Sequence, residues 1–158
     1  MDEDGLTLVE LIVILAVLSV LLIIIFPSSD LLNPEKSSLR LNITAKEVVN
    51  DLRYIQQKTI LDPNRETLYF EIFPDNKGYY IKTYNDDKCI KIKELPNGII
   101  IEKNNNRKDS IKNKEIIKFS ETGTPFPGGL TITLKNSLKE IKITLVPSTG
   151  RIMLKGDY

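Results

Sequence analysis

Apolar residues fall along this chain in three successive patterns. From Leu6 to Phe26 they run almost unbroken for 21 residues, with only Thr7, Glu10 and Ser19 departing from the apolar character. As a helix rising roughly 1.5 Å per residue this run spans about 31 Å, close to the roughly 30 Å of a bilayer core. From Leu41 the apolar positions recur at helical spacing. Leu41, Ala45, Val48, Val49, Leu52, Ile55 and Ile60 form one face, and Lys46, Asn50, Arg53 and Gln57 the other. This predicts an amphipathic helix from about Ser37 to Leu61, stopped by Asp62-Pro63-Asn64. Between the two, Ser28 to Ser38 holds Asn33, Pro34 and several serines and reads as an irregularity or short break, with Ser37 a candidate cap.

Beyond Thr67 the period becomes that of strands. Thr67–Phe73 and Tyr79–Tyr84 flank the turn residues 74–78. Cys89–Glu94 and Ile99–Lys103 flank Pro96-Asn97-Gly98. Residues 104–114 are polar and basic and read as an exposed loop. Ile116–Ser120, Leu130–Leu134, Glu140–Val146 and Arg151–Leu154 bring the expectation to about eight strands. Alternation is sharpest in Leu130-Ile132-Leu134 and Ile141-Ile143-Leu145, which implies antiparallel sheets with one buried face. The fold class is therefore α+β: a long hydrophobic helix continuing into an amphipathic helix that packs on antiparallel sheets.

Length and charge fit one domain behind one hydrophobic segment. Of 158 residues, roughly 130 remain beyond the segment, enough for a single core. Asp2, Glu3, Asp4 and Glu10 all precede Pro27, where no basic residue occurs. The remainder thus carries 22 basic against 17 acidic residues, a net of about +5. That bias tolerates an anionic partner without requiring one.

Candidate chemistry is sparse. Histidine is absent, which removes the commonest general base and metal ligand. Cys89 is the single cysteine, so an intrachain disulfide is excluded and the thiol is expected to pack as a small apolar group. Asp86-Asp87 reads as a solvated turn without a third oxygen ligand nearby for calcium. Ser148-Thr149-Gly150 lacks a base and also reads as a turn. No enzyme activity, cofactor or metal site is expected.

Glu10 is the residue that the apolar run does not explain, because a carboxylate near a bilayer needs a partner. A cleaved secretory signal would need a basic front and small residues before the cut, and neither is present. A plain anchor accounts for the length and leaves Glu10 without a role. Processing after Gly5, with Leu6 as a new N-terminus and Glu10 as partner of an amino group, accounts for every unusual residue of the stretch.

Gly5-Leu6-Thr7-Leu8-Val9-Glu10-Leu11 resembles the cleavage and methylation segment of type IV prepilins and pseudopilins. The resemblance implies a cut after Gly5 by a membrane prepilin peptidase, N-methylation of Leu6 by the same enzyme, an assembly role for Glu10 and a helix kink at Pro27. It implies a leader over residues 1–5, a transmembrane assembly helix over 6–27, and an extracytoplasmic pilin-like domain over 28–158. The leader Asp2-Glu3-Asp4 departs from the family's usual basic character, so the orientation comes from the resemblance and not from charge.

In the second half, Phe119-Ser120-Glu121-Thr122-Gly123-Thr124-Pro125-Phe126, Gly128-Gly129-Leu130-Thr131-Ile132 and residues 143–152 are similar to the GspH/FimT group of minor pseudopilins and minor pilins. This resemblance implies a single-pass inner-membrane precursor that becomes a minor subunit of a type IV pilus or type II secretion-like filament, with competence systems as a further setting. Its partners would be the prepilin peptidase, other pilin or pseudopilin subunits, the inner-membrane assembly machinery and membrane lipid.

The alternative is a membrane-tethered binding module, in particular for DNA. Some members of the group bind DNA through a basic C-terminal strand with a Gly-Arg-x-Arg pattern. Gly150 and Arg151 match it, Met153 replaces the second arginine, and Lys155 comes two residues later. Arg107 and Lys108, in the basic loop with Lys103, Lys112 and Lys114, would add phosphate contacts. A solvated loop explains that charge as well, and the sequence shows no cluster of aromatic residues to stack bases.

Overall fold

The computed structural model describes residues 8–25, 34–61, 67–104, 116–126 and 128–156. They form two compact units, meeting in sequence between Lys36 and Ser37. In the first, helix α1 covers Leu8–Ile25, 18 residues or about 27 Å at ~1.5 Å each. Its side chains from Leu8 to Leu21 are exposed. The Ser19 hydroxyl donates to the Leu15 carbonyl at 2.7 Å, so the one polar side chain in mid-helix satisfies itself. No helix among the described residues is long and apolar enough to cross a membrane. Leu6, Thr7, Phe26 and Pro27, which the expected span includes, lie outside them.

The second unit holds most of helix α2 (Pro34–Leu61) and nine strands: β1 (Leu68–Ile72), β2 (Gly78–Thr83), β3 (Cys89–Glu94), β4 (Ile100–Asn104), β5 (Ile116–Phe119), β6 (Pro125–Phe126), β7 (Leu130–Lys135), β8 (Glu140–Leu145) and β9 (Ile152–Gly156). They make a five-stranded sheet in the order β3-β2-β1-β5-β6 and a four-stranded sheet in the order β4-β7-β8-β9. Every pairing is antiparallel.

One core joins helix and both sheets. Leu41, Ala45, Val48, Val49, Leu52 and Ile55 of α2 meet Phe70, Tyr79, Ile81, Ile117 and Phe119 from one sheet and Ile101, Ile132, Leu134, Ile143 and Leu145 from the other. Burying each such side chain contributes roughly 1.5–3 kcal/mol relative to leaving it in water. Phe70 and Tyr79 stack at 4.5 Å between centroids. The α+β architecture expected from the hydrophobic pattern is thus present in this domain.

Several local expectations change. The amphipathic helix starts at Pro34, three residues before Ser37; proline suits a first helical turn because its missing N–H has no partner there anyway. Ser37 does not serve as a cap: its hydroxyl and carbonyl accept from the Asn136 side-chain amide at 3.0 and 3.2 Å. Ile60 is 46 % exposed while Thr59 is buried, because the Thr59 hydroxyl donates to the Ile55 carbonyl and needs nothing further. β6 escapes sequence reading because it is two residues long and begins with a proline, which is tolerated only on a sheet edge. Cys89 is exposed rather than packed, since it sits on edge strand β3, where all residues but Lys93 are exposed.

Candidate functional site

Three places in the described structure bear on function. The first is α1, whose only charged residue is Glu10 in its opening turn. Gly5, Leu6 and Pro27, the other residues of the expected processing and assembly segment, lie outside the described residues. So do Arg107 and Lys108.

The second is the junction of α2 with the turn before β9. Gly150 adopts φ +65°, and its amide donates to the Val146 carbonyl at 2.9 Å. A Cβ there would come within 2.0 Å of the Gly123 carbonyl oxygen, so glycine is required both by conformation and by space. Gln56 of α2 locks the junction: its side-chain amide donates to Gly123 O at 2.7 Å and to Gly150 O at 2.8 Å. One helix residue therefore ties a turn of each sheet. Sequence periodicity assigns Gln56 to neither face, and no signal in the sequence marks it.

A cleft of about 470 Å³ opens beside this tie, lined by Arg53, Gln56 and residues 149–154. Arg151 lies exposed at its rim, and exposed Arg53 joins it from α2. Lys155 lies further along β9, paired in register with Lys142 of β8. The structure thus brings Arg151 to Arg53, a residue the sequence pattern assigns only to a solvated helix face.

The third is the outer face of the five-stranded sheet, where aromatic rings distant in sequence gather. Phe73 and Tyr80 lie 4.3 Å apart, and Tyr69 meets Tyr84 edge to face at 6.3 Å. The Lys82 ammonium sits 4.2 Å over Tyr80, and Lys118 sits 4.3 Å over Tyr84 and 4.6 Å over Phe126. Burial opposes the charge on Lys82, but the Glu71 carboxylate at 2.6 Å outweighs it and raises the pKa. This corrects the expectation that no aromatic cluster exists. The rings converge only because antiparallel pairing aligns residues from β1, β2, β5 and β6. The cluster lies on the other sheet from Arg151 and Lys155.

Three aspartates of the domain are committed to local structure. Asp51 accepts from the Tyr79 hydroxyl at 2.6 Å and from Lys91 at 2.7 Å. Burial, and then that hydrogen bond, push the Tyr79 phenol well above its ordinary range. Asp87, at φ +57°, accepts from the Tyr69 hydroxyl. Asp86 accepts from the Thr83 hydroxyl and, at 3.3 Å, from the Lys88 amide; these donors hold its carboxyl below the usual range. Among the described residues no group of three His, Cys, Asp or Glu side chains could hold a metal ion.

By sequence the chain matches no protein-family model and no curated protein. Its structure is similar to that of the minor pseudopilin EpsH from the type 2 secretion system of Vibrio cholerae. The TM-score is 0.54 at 12% sequence identity, over 74% of this chain and 97% of that one. A helix against antiparallel sheets in this arrangement is the fold of a minor pseudopilin, and this chain has that fold.

Proposed function

We propose that the chain is a minor pilin or pseudopilin, a structural subunit that enters a type IV pilus or type II secretion-like filament through its N-terminal helix. The observation that carries this reading is the pairing of two independent features. One is an apolar helix with a single charged residue, Glu10, in its first turn. The other is a domain with the fold of a minor pseudopilin.

In this reading the precursor is held in the inner membrane by the run Leu6–Phe26, whose 21 residues correspond to about 31 Å of helix at ~1.5 Å per residue. A prepilin peptidase cuts after Gly5 and methylates Leu6. Glu10 then pairs with the amine of Leu6 on a neighbouring subunit, so that two charges which are costly in an apolar setting neutralise one another. Pro27 lets the helix bend as it leaves the packed filament core, and the β-domain projects outward. The exposed apolar surface of α1 is what the neighbouring helices cover.

Glu10→Ala tests the step directly. The variant is cleaved like the parent and enters filaments poorly, as measured by comparing processed chain in membranes with chain in sheared filaments. Normal incorporation would end the pairing mechanism.

A second reading, a tethered module for DNA, draws on Arg151 and Arg53 at one cleft and Lys155 along the same strand. The aromatic cluster that would stack bases lies on the other sheet, so any contact at Arg151 would rest on phosphate charge alone. A salt-dependent mobility shift with the full chain measures it, and absence of binding at low salt would remove it.

A further inference from the structure

A sheet edge is a row of unmade hydrogen bonds, and proteins block such edges. Among the described residues the two sheets present four edges, and three are guarded. β3 directs Lys91 and Lys93 toward α2, where they pair with Asp51 at 2.7 Å and Glu47 at 2.8 Å. β6 is two residues long and starts with proline. β4 gives its Ile101 amide to the Asn76 carbonyl of the β1–β2 turn at 2.9 Å.

β9 has no such guard. The Val146 amide donates to the Arg151 carbonyl at 3.0 Å, which fixes the phase of the β8–β9 ladder. By alternation, residues 151, 153 and 155 bond to β8, and the N–H and C=O groups of Ile152 and Leu154 face away from it. Among the described residues nothing bonds these four groups. Ile152 and Leu154 also line the 470 Å³ cleft, and among the described residues neither Arg53 nor Arg151, which share it, has an ion-pair partner.

We propose that the β9 edge receives an extended segment of another protein, added as a further strand, with a carboxylate side chain seated between Arg53 and Arg151. The two free residues of β9 offer two donors and two acceptors about 6.6 Å apart along the strand at ~3.3 Å per residue, the pattern that an added strand completes. A second copy of β9 is a poor occupant. Arg151 and Lys155 of one strand would face the same cations on the other, whereas acidic side chains complement them. The β9 edge belongs to the β-domain alone, so the proposal stands independently of the filament reading.

The test uses the full chain, isotope-labelled and in detergent micelles. Its probes are a capped hexapeptide of sequence Thr-Val-Glu-Val-Glu-Thr, the same peptide with Lys for Glu, the acidic peptide N-methylated at alternate residues, and an oligothymidylate strand. The acidic peptide at millimolar concentration slows amide hydrogen exchange at Ile152 and Leu154 about tenfold and leaves Met153, already in the ladder, unchanged. Arg53→Glu with Arg151→Glu, both exposed and outside the core, weakens that binding about tenfold or more. The Lys peptide and the N-methylated peptide give no protection. Unchanged exchange at Ile152 and Leu154 with the acidic peptide would overturn the proposal. Equal binding of the N-methylated peptide would overturn it too, as would equal protection by oligothymidylate.

Discussion

Gln56 offers the most discriminating perturbation of the fold. Its amide nitrogen is part-buried and spends both hydrogens, on Gly123 O at 2.7 Å and Gly150 O at 2.8 Å. Gln56→Met keeps the length of the side chain and removes both donors. Each orphaned carbonyl then costs about 1–3 kcal/mol if water cannot reach it. The adjoining cleft admits water to one side, so the lower half of the range applies and the sum over the two carbonyls is about 2–4 kcal/mol. Gln56→Glu is worse than methionine, because a carboxylate then faces two carbonyl oxygens with no hydrogen to share. Gln57→Ala, one residue along on the exposed face, stays within about 0.5 kcal/mol of the parent.

The assay is urea unfolding followed by near-ultraviolet circular dichroism of tyrosine. None of the six tyrosines lies in α1, so the signal reports the β-domain alone. A Gln56→Met variant as stable as Gln57→Ala would refute the claim that one helix residue holds the two turns together.

The same geometry sets three further outcomes. Gly150→Ala destabilises far more than Gly98→Ala: both glycines have positive φ, which costs roughly 1–2 kcal/mol with a side chain, but only Gly150 would also drive a Cβ to 2.0 Å from a carbonyl oxygen, and urea midpoints of the two variants compare them. Tyr79→Phe removes the donor to Asp51 and costs about 1.5–3 kcal/mol, the range for a hydrogen bond to a charged group, read by chemical unfolding at neutral pH. The Glu140 carboxyl is held below its ordinary range by the hydrogen bond from Lys142, so its stabilising contribution is complete above the unfolded carboxyl pKa and fades as pH falls through the lower folded value. Urea midpoints of the parent and of Glu140→Gln therefore differ at pH 6 and converge toward pH 2; a constant gap would contradict the assignment.

The parts of the fold legible in sequence are those where a single periodicity dominates. The α2 face from Leu41 to Ile55 and the alternating positions of β7 and β8 are buried as their spacing requires. The limits of Cys89–Glu94 are legible because turn residues bound it on both sides. Features set by contacts between distant segments escape such a reading. The aromatic cluster joins Phe73, Tyr80, Tyr84 and Phe126 only after four strands pair in register. Gln56 matters because two glycine turns, 67 and 94 residues further on, bring their carbonyls to it. Of the candidate site residues, Arg151 stands out by its Gly-Arg context. Its neighbour Arg53 stays hidden because helical periodicity distinguishes exposed from buried and says nothing of which exposed residue borders a sheet edge.

In the proposed filament reading, entry turns on what happens between Gly5 and Glu10, and mass spectrometry of the N-terminal peptide measures it most directly. In membranes containing a prepilin peptidase, the predicted chain begins at Leu6 and carries one methyl group on its amine, and it reverts to the full-length unmethylated form when the peptidase is absent. A chain that still begins at Met1 in the presence of the peptidase would contradict the filament reading.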